Sequence, residues 1–301
     1  MSFFFKIKRK IYKLFHPSYG EILMLHRVVN QRSTLEANKQ LEITSDFLER
    51  SILDYKAKGY KFVSLNQVAE IVTTQKRPKQ KFVCFTFDDG YVDNYEIAYP
   101  IFKKFNCPFA IYVTTDFMES KALIWWYILD DLIQDNTILQ LSDGSSFSCL
   151  NIEEKNTTFY AIRNKISGLQ PESLKETFSQ WFSNYNFSFE AKAKELSLNQ
   201  KQIISLAQDS LCTIASHTIT HPYLGNMTVE QQQLEMKESK QKLEQLIHKP
   251  VSHFAYPFGN YNADSIKLAK ENDYVTATLA WGGKLRKGQS PWLLTRISLI
   301  E

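Results

Sequence analysis

The stretch Lys81–Gly90, KFVCFTFDDG, decides how the rest of this chain is read. Its first half, Phe82-Val83-Cys84-Phe85, is an unbroken apolar run of strand length, the pattern of a strand buried on both faces. Two adjacent carboxylates, Asp88 and Asp89, end the run ahead of Gly90. In α/β folds the C-terminal tips of the strands converge on one crevice, so polar groups there are candidates for chemistry. Neighbouring residues leaving a strand point in different directions, which lets Asp88 and Asp89 take separate jobs. Taken alone, the same residues also suit an Asp-Gly turn; a site requires partners from other strand ends.

Working outward, strand and helix patterns alternate. Glu21–Val29 (EILMLHRVV) is an expected strand with His26 near its end. A helix is expected over Ser45–Lys58, with Ser45 as N-cap, Phe47, Leu48, Ile52 and Tyr55 at helical spacing, and Gly59 as its stop. Tyr60–Ser64 reads as a short strand, Ser64 caps a further helix, and Gln75–Gln80 is a basic linker. Tyr91–Phe105 carries a helix and Phe109–Thr114 a strand. This alternation points to a mostly parallel sheet. From about residue 117 to 210 the rhythm breaks into helical patterns, read as an insertion that packs on a barrel within one domain spanning 1–301. Trp125 and Trp126 in it suit either the roof of a site or a core. Strands resume at Leu211–Ala215, Ser252–Tyr256, Tyr274–Leu279 and Trp292–Leu299. Between them lie helices over Thr228–Ile247, opened by a Thr228–Gln231 capping-box pattern, and Ala263–Asn272, capped by Asn262.

Composition narrows the function classes. A hydrophobic fraction of 44% with 23% charged residues is ordinary for a globular chain of 301 residues. The net charge of +4 is too small for a nucleic-acid-binding footprint. Cys84, Cys107, Cys149 and Cys212 show no CxxC spacing, and Cys84 and Cys212 sit in apolar runs, so no oxidising compartment is demanded. No apolar run approaches the roughly 18 residues of a membrane helix. The start, MSFFFKIKRKIYKLF, mixes aromatic and basic residues and lacks the layout of a signal peptide. Residues 1–20 read as a basic amphipathic segment that covers the core or touches an anionic membrane surface. A cytoplasmic, membrane-associated protein is the expectation.

Two more strand tips carry polar groups. Leu211–Ala215 runs into Ser216-His217-Thr218-Ile219-Thr220-His221-Pro222. Two histidines four apart can face one centre, and two imidazoles with one carboxylate are a common ligand set for a catalytic divalent metal. The next tip, Ala255-Tyr256-Pro257-Phe258-Gly259, fixes a loop whose backbone N–H groups are placed to face an oxyanion.

TFDDG at Thr86–Gly90, HTITHP at His217–Pro222 and AYPFG at Ala255–Gly259 resemble, in this order, the three main motifs of the polysaccharide deacetylases, the NodB-homology enzymes of carbohydrate esterase family four. The resemblance implies a distorted (β/α)7-type barrel, with the helical insertion between the Asp-pair and His motifs. It implies a metal-dependent hydrolase that removes acetyl groups from amino sugars of an N-acetylated glycan. Carried over, Asp88 is the general base, Asp89, His217 and His221 hold the metal, with zinc the expected ion, and the backbone N–H of Tyr256 is the oxyanion donor.

The chain departs from the family at two points. Where the third motif usually has an Arg that orients the base, this chain has Ala255; Arg296, in LLTRISL of the last strand, is the replacement by position. The family's C-terminal acid His is missing as well, since no His follows His253. His26 fills that place: LMLHRVV resembles the N-terminal strand motif of the poly-N-acetylglucosamine deacetylases, whose motif order is circularly permuted. A closed barrel tolerates the permutation because its first and last strands are neighbours. A near-neutral imidazole is the expected donor to the leaving amine. A deformylase or O-deacetylase using the same centre, or a sugar-binding protein that lost turnover, are the alternatives.

Overall fold

The computed structural model describes residues 18–76 and 78–301. The expected amphipathic N-terminal helix, read as a core cover or a membrane contact, lies outside the described residues. Seven parallel strands form a closed barrel in chain order: β1 (Ser18–Leu25), β2 (Phe82–Phe87), β3 (Phe109–Val113), β4 (Cys212–Ser216), β5 (His253–Ala255), β6 (Thr276–Gly282) and β7 (Leu294–Ser298). Closure comes from β1, which pairs with β2 from Gly20↔Phe82 to Leu25↔Phe87 and with β7 at Leu23↔Ile297 and Met24↔Ser298. The fold is therefore the (β/α)7-type barrel that the resemblance implied.

Period-2 alternation sorts each strand into two faces. On β2, Val83, Phe85 and Phe87 join the large apolar core under the outer helices, with Leu48, Phe102 and Leu206. Phe82 and Cys84 join a second cluster inside the barrel, with Ile22, Tyr112, Ala215, Ala255 and Leu294. Helix α2 (Leu65–Thr74) contributes Leu65, Val68 and Val72 to that inner cluster. Continued past the strand ends, the inner face carries Asp88 after Cys84 and Thr86, His217 after Ala215, and Arg296 after Leu294. His26 follows Ile22 and Met24 in the same way. The alternation alone thus sends four chemically distinct groups to one barrel mouth.

Local details differ from the sequence expectations for physical reasons. Helix α1 (Ser45–Ala57) is capped by Thr44, not Ser45, because Thr44 is the extended residue and its hydroxyl accepts the Phe47 N–H at 3.3 Å. The Thr228–Gln231 capping box forms as its pattern indicates, and Ser64 caps its helix as expected, with Gln67 completing a box there as well. The expected single strand Glu21–Val29 is broken at His26: Arg27–Val29 leaves the barrel and pairs with Glu42–Thr44 in a separate small sheet. The helix expected over Tyr91–Phe105 opens with a π-turn at Asn94–Ala98 before becoming α-helical over Tyr99–Lys104.

The insertion brings a core of its own. Helices α3 (Trp125–Asp135), α4 (Ile152–Ile166), α5 (Pro171–Trp181) and α6 (Phe189–Leu196) frame a hairpin of Ile138–Gln140 and Ser146–Ser148. Ile128, Leu132, Phe159, Ile162, Phe178 and Phe182 are buried together there. A smaller cluster, with Tyr91, Phe117, Ile124 and Tyr127, seals this unit to the barrel mouth.

Packing inside the barrel is tight at Gly20, where an added Cβ would lie 2.2 Å from the Phe82 ring. Gly20→Ala is expected to cost about 1–3 kcal/mol, the usual effect of overpacking. The check is a urea midpoint that falls with an unchanged slope; an unchanged midpoint would show that the ring moves aside freely.

Candidate metal and hydrolytic site

The barrel mouth gathers the polar strand tips into a cavity of about 250 Å³. Asp88, Asp89, His217, His221 and His26 all line it, and the insertion closes one side with Trp125 and Trp126. Asp88 is set by β1, whose Leu25 carbonyl accepts its N–H at 2.9 Å. Asp89 follows with φ of 74°, a left-handed value that costs a non-glycine residue and recurs at functional sites. That turn lets Asp89 face the cavity beside Asp88 instead of pointing to the outer face.

Arg296 meets Asp88 in a two-pronged pair, with both guanidinium contacts at 2.6 Å. Its Nε donates to the Leu279 carbonyl at 2.8 Å, and Nη1 also donates to the Thr86 hydroxyl at 3.2 Å. The pair is buried, Arg296 being 1% and Asp88 3% exposed. Burial pushes the Asp88 carboxyl up, but Arg296, with smaller contributions from His217 and His26, outweighs it and holds Asp88 well below the usual carboxylate range. Each Asp88 oxygen still has a second lone pair. Ala255, on the neighbouring inner face, gives no charge.

Asp89, His217 and His221 form a second group. Their ligating atoms lie within 4.8 Å of one another. The two Nε2 atoms stand 3.6 and 3.3 Å from Asp89 Oδ1, respectively. Oδ1 is buried without a hydrogen-bond partner, which in a native protein calls for an ion or a function. His217 Nδ1 lies 2.8 Å from the Ala255 carbonyl, so it donates there and leaves the Nε2 lone pair on the cavity side. Burial lowers both imidazoles, His221 most, and neutral imidazole is the ligating form. Burial and the Asp88 charge push Asp89 up to about 8, a cost that a divalent cation among these donors would reverse. The donor set fits such an ion.

One predicted site residue is not where its role needs it. The Tyr256 N–H donates to the Thr278 carbonyl at 3.1 Å within the barrel ladder, and its hydroxyl donates to the Trp292 carbonyl at 3.2 Å. Tyr256 is fully buried, so it offers the cavity no oxyanion donor. The loop instead turns at Phe258, which has φ of 55° and lines the cavity. Among the described residues no backbone acceptor takes the Phe258 N–H. His26 does line the cavity, but burial lowers its imidazole to about 4, against the pull of the Asp88 carboxylate. It therefore rests neutral, with a pKa below the near-neutral value expected from the sequence.

Several supporting residues carried no recognisable sequence signal. Glu235, from α7 (Val229–Ile247), accepts the Ile219 and Thr220 N–H groups at 2.7 and 3.0 Å and the Thr220 hydroxyl at 2.7 Å. It braces the loop between the two histidines. The Tyr91 hydroxyl accepts the Trp126 indole N–H at 3.1 Å, and its nearness lowers the Asp89 carboxyl, which links the insertion to the surroundings of a candidate ligand. The Trp126 ring also stands 6.4 Å from that of His221.

Arg296→Met leaves a buried carboxylate unpaired, and a loss of about 3–5 kcal/mol is expected. The sign with pH follows from the lowered Asp88 value. The pair's stabilisation is full above the unfolded pKa of about 3.9 and fades as pH falls through the lower folded value. Denaturant melts should therefore show a wild-type advantage that narrows in acid; a gap independent of pH down to strong acid would place the effect elsewhere.

Comparison with known proteins follows the same lines. Residues 75–277 match the family model described as polysaccharide deacetylase. The protein YxkH of Bacillus subtilis (strain 168), named for the same family, is 24% identical over 281 residues, which is 93% of this chain and 71% of that one. The deacetylase PplD of Streptococcus pyogenes, solved in complex with acetate, superposes with a TM-score of 0.64 at 22% identity, covering 93% of this chain and 92% of that chain. IcaB from Ammonifex degensii gives a TM-score of 0.60 at 16% identity, covering 94% and 92%. A de-N-acetylase from Aggregatibacter actinomycetemcomitans gives 0.59 at 16%, covering 94% and 95%. At these identities the structures speak for the fold.

Proposed function

The chain belongs to the polysaccharide deacetylase family, and from that premise we propose that it hydrolyses the N-acetyl group of an amino sugar in a glycan, using a divalent cation held by Asp89, His217 and His221. The observation that carries this reading is the pairing of Asp88 with Arg296 directly beside that three-donor group. Adjacent carboxylates have received opposite environments: one is fixed as an anion by a guanidinium, the other has an orphaned buried oxygen. Zinc suits two imidazoles and one carboxylate, with a position left open for substrate.

When bound, the cation polarises the acetyl carbonyl and lowers the pKa of the attacking water. Asp88 takes a proton from that water on a lone pair that Arg296 leaves free. Arg296 keeps the carboxylate ionised before the step and fixes its plane during it. The Phe258 N–H faces the developing oxyanion. His26 delivers a proton to the leaving nitrogen. Because His26 rests neutral, that proton comes from the attacking water by way of Asp88, so base and acid work as one relay. Trp125 and Trp126 form the wall against which a sugar ring stacks.

Two outcomes test the assignment on acetylated amino-sugar oligomers, with acetate release as readout. Asp88→Asn should lose about 10²–10⁴-fold in kcat while metal content stays at that of the wild type; full activity would remove Asp88 as base. Chelation should abolish acetate release and added zinc should restore it. Metal uptake with no acetate released from any oligomer would favour a sugar-binding protein, and release only from O-acetyl or formyl derivatives the related esterase or deformylase.

A further inference from the structure

His26 stands at a break in the chain, and the barrel does not hold it. The β1–β2 ladder ends at Leu25↔Phe87, and the next hydrogen bond, from the Asp88 N–H to the Leu25 carbonyl, is the last from that side. Beyond His26 the chain joins a different sheet at Arg27–Val29. A group that must meet a leaving nitrogen within tenths of an ångström therefore needs another anchor.

The anchor comes from five residues past Asp88. Asn94 Nδ2 donates to the His26 carbonyl at 2.8 Å. Asp93 Oδ1 accepts the Val28 N–H at 2.9 Å, and its Oδ2 accepts from Arg27 Nε at 2.7 Å. The peptide units on both sides of Arg27 are thus gripped by two consecutive side chains. Both are buried, Asn94 fully and Asp93 to 5% exposure. Asn94 opens the π-turn Asn94–Ala98, a wide turn of the kind that gathers at functional sites. Its Oδ1 is buried without a partner, so the amide is kept for its donor side at a cost in stability. Arg27 completes the clamp: its guanidinium lies over the Tyr91 and Tyr127 rings at 5.2 and 4.7 Å and 3.6 Å from Glu42.

We infer that Asp93 and Asn94 are positioning residues for His26, a clamp that fixes the acid-bearing segment to the same strand tip that carries Asp88. The clamp rests on the proposed role of His26. It explains why a short polar pair follows the aspartates at this distance: base and acid then keep one geometry even though they come from different strands.

The test compares two probes on zinc-loaded protein. Triacetylchitotriose needs its leaving nitrogen protonated; 4-nitrophenyl acetate expels a phenolate that needs no proton. Asp93→Asn, Asn94→Ala and His26→Ala are measured on both, with metal content and thermal unfolding alongside. His26→Ala sets the reference, a fall in kcat on the amide with the ester spared. The clamp predicts the same selectivity for Asp93→Asn and Asn94→Ala, about 10²-fold in amide kcat, with KM and metal content unchanged. Parallel loss on both probes, no loss on either, or failure of both variants to fold would overturn it. A non-selective His26→Ala, or a wild type inert on the amide, would instead bring down the proposed function, and the clamp with it.

Discussion

A guanidinium and a carboxylate, Arg296 and Asp88, lie in contact inside a closed barrel, and the rest of the mouth is arranged around keeping both charged. Isolated charges in such a place are prohibitive, and even a good pair can cost more in desolvation than it returns. Here the two-pronged geometry, the Leu279 carbonyl and the Thr86 hydroxyl give every nitrogen of Arg296 an acceptor. The Arg296 guanidinium also lies over the Tyr112 ring at 5.3 Å. Such a pair serves placement more than stability. It also depends on closure, because β7 and β2 do not pair; each flanks β1, and Arg296 reaches across.

That constraint divides the labour of two neighbours. Asp88 has its negative charge answered by protein, so its free lone pairs can accept a proton and return it. Asp89 has no such answer. Its left-handed backbone, buried Oδ1 and two neutral imidazoles make sense together once a cation is shared among them. Glu235 then braces the histidine loop from outside, and Tyr91 lies beside Asp89 and takes the Trp126 indole N–H. The insertion is therefore part of the site's construction: its Trp126 reaches Tyr91, and its wall shapes the cavity.

How much of this was legible in sequence depended on whether the signal was periodic. Phe82–Phe87 announced a buried strand and the alternation a mostly parallel sheet, while closure into a barrel came from the resemblance alone. Arg296 could be named because it lies on the inner face of the last strand, two residues past Leu294. Tyr256 was misassigned as oxyanion donor because backbone pairing is invisible in sequence; its N–H belongs to the ladder with Thr278, and the turn falls two residues later at Phe258. The break at His26 was hidden for a similar reason, since EILMLHRVV is apolar on both sides of the point where it changes sheets. Asp93 and Asn94 were visible as residues but not as a clamp, because their partners lie more than sixty positions away. The lowered His26 imidazole is likewise a property of the closed mouth, not of the residue type.

The central claim is that adjacent aspartates are split between a proton acceptor and a metal ligand. Anomalous diffraction at the zinc edge, from crystals of the protein grown with zinc, tests it most directly. The account predicts one strong peak at about 2.0–2.2 Å from an Asp89 oxygen and the Nε2 atoms of His217 and His221, with Asp88 still paired to Arg296 and outside the ion's ligand shell. A peak ligated by Asp88, or zinc bound away from the two histidines, would contradict it.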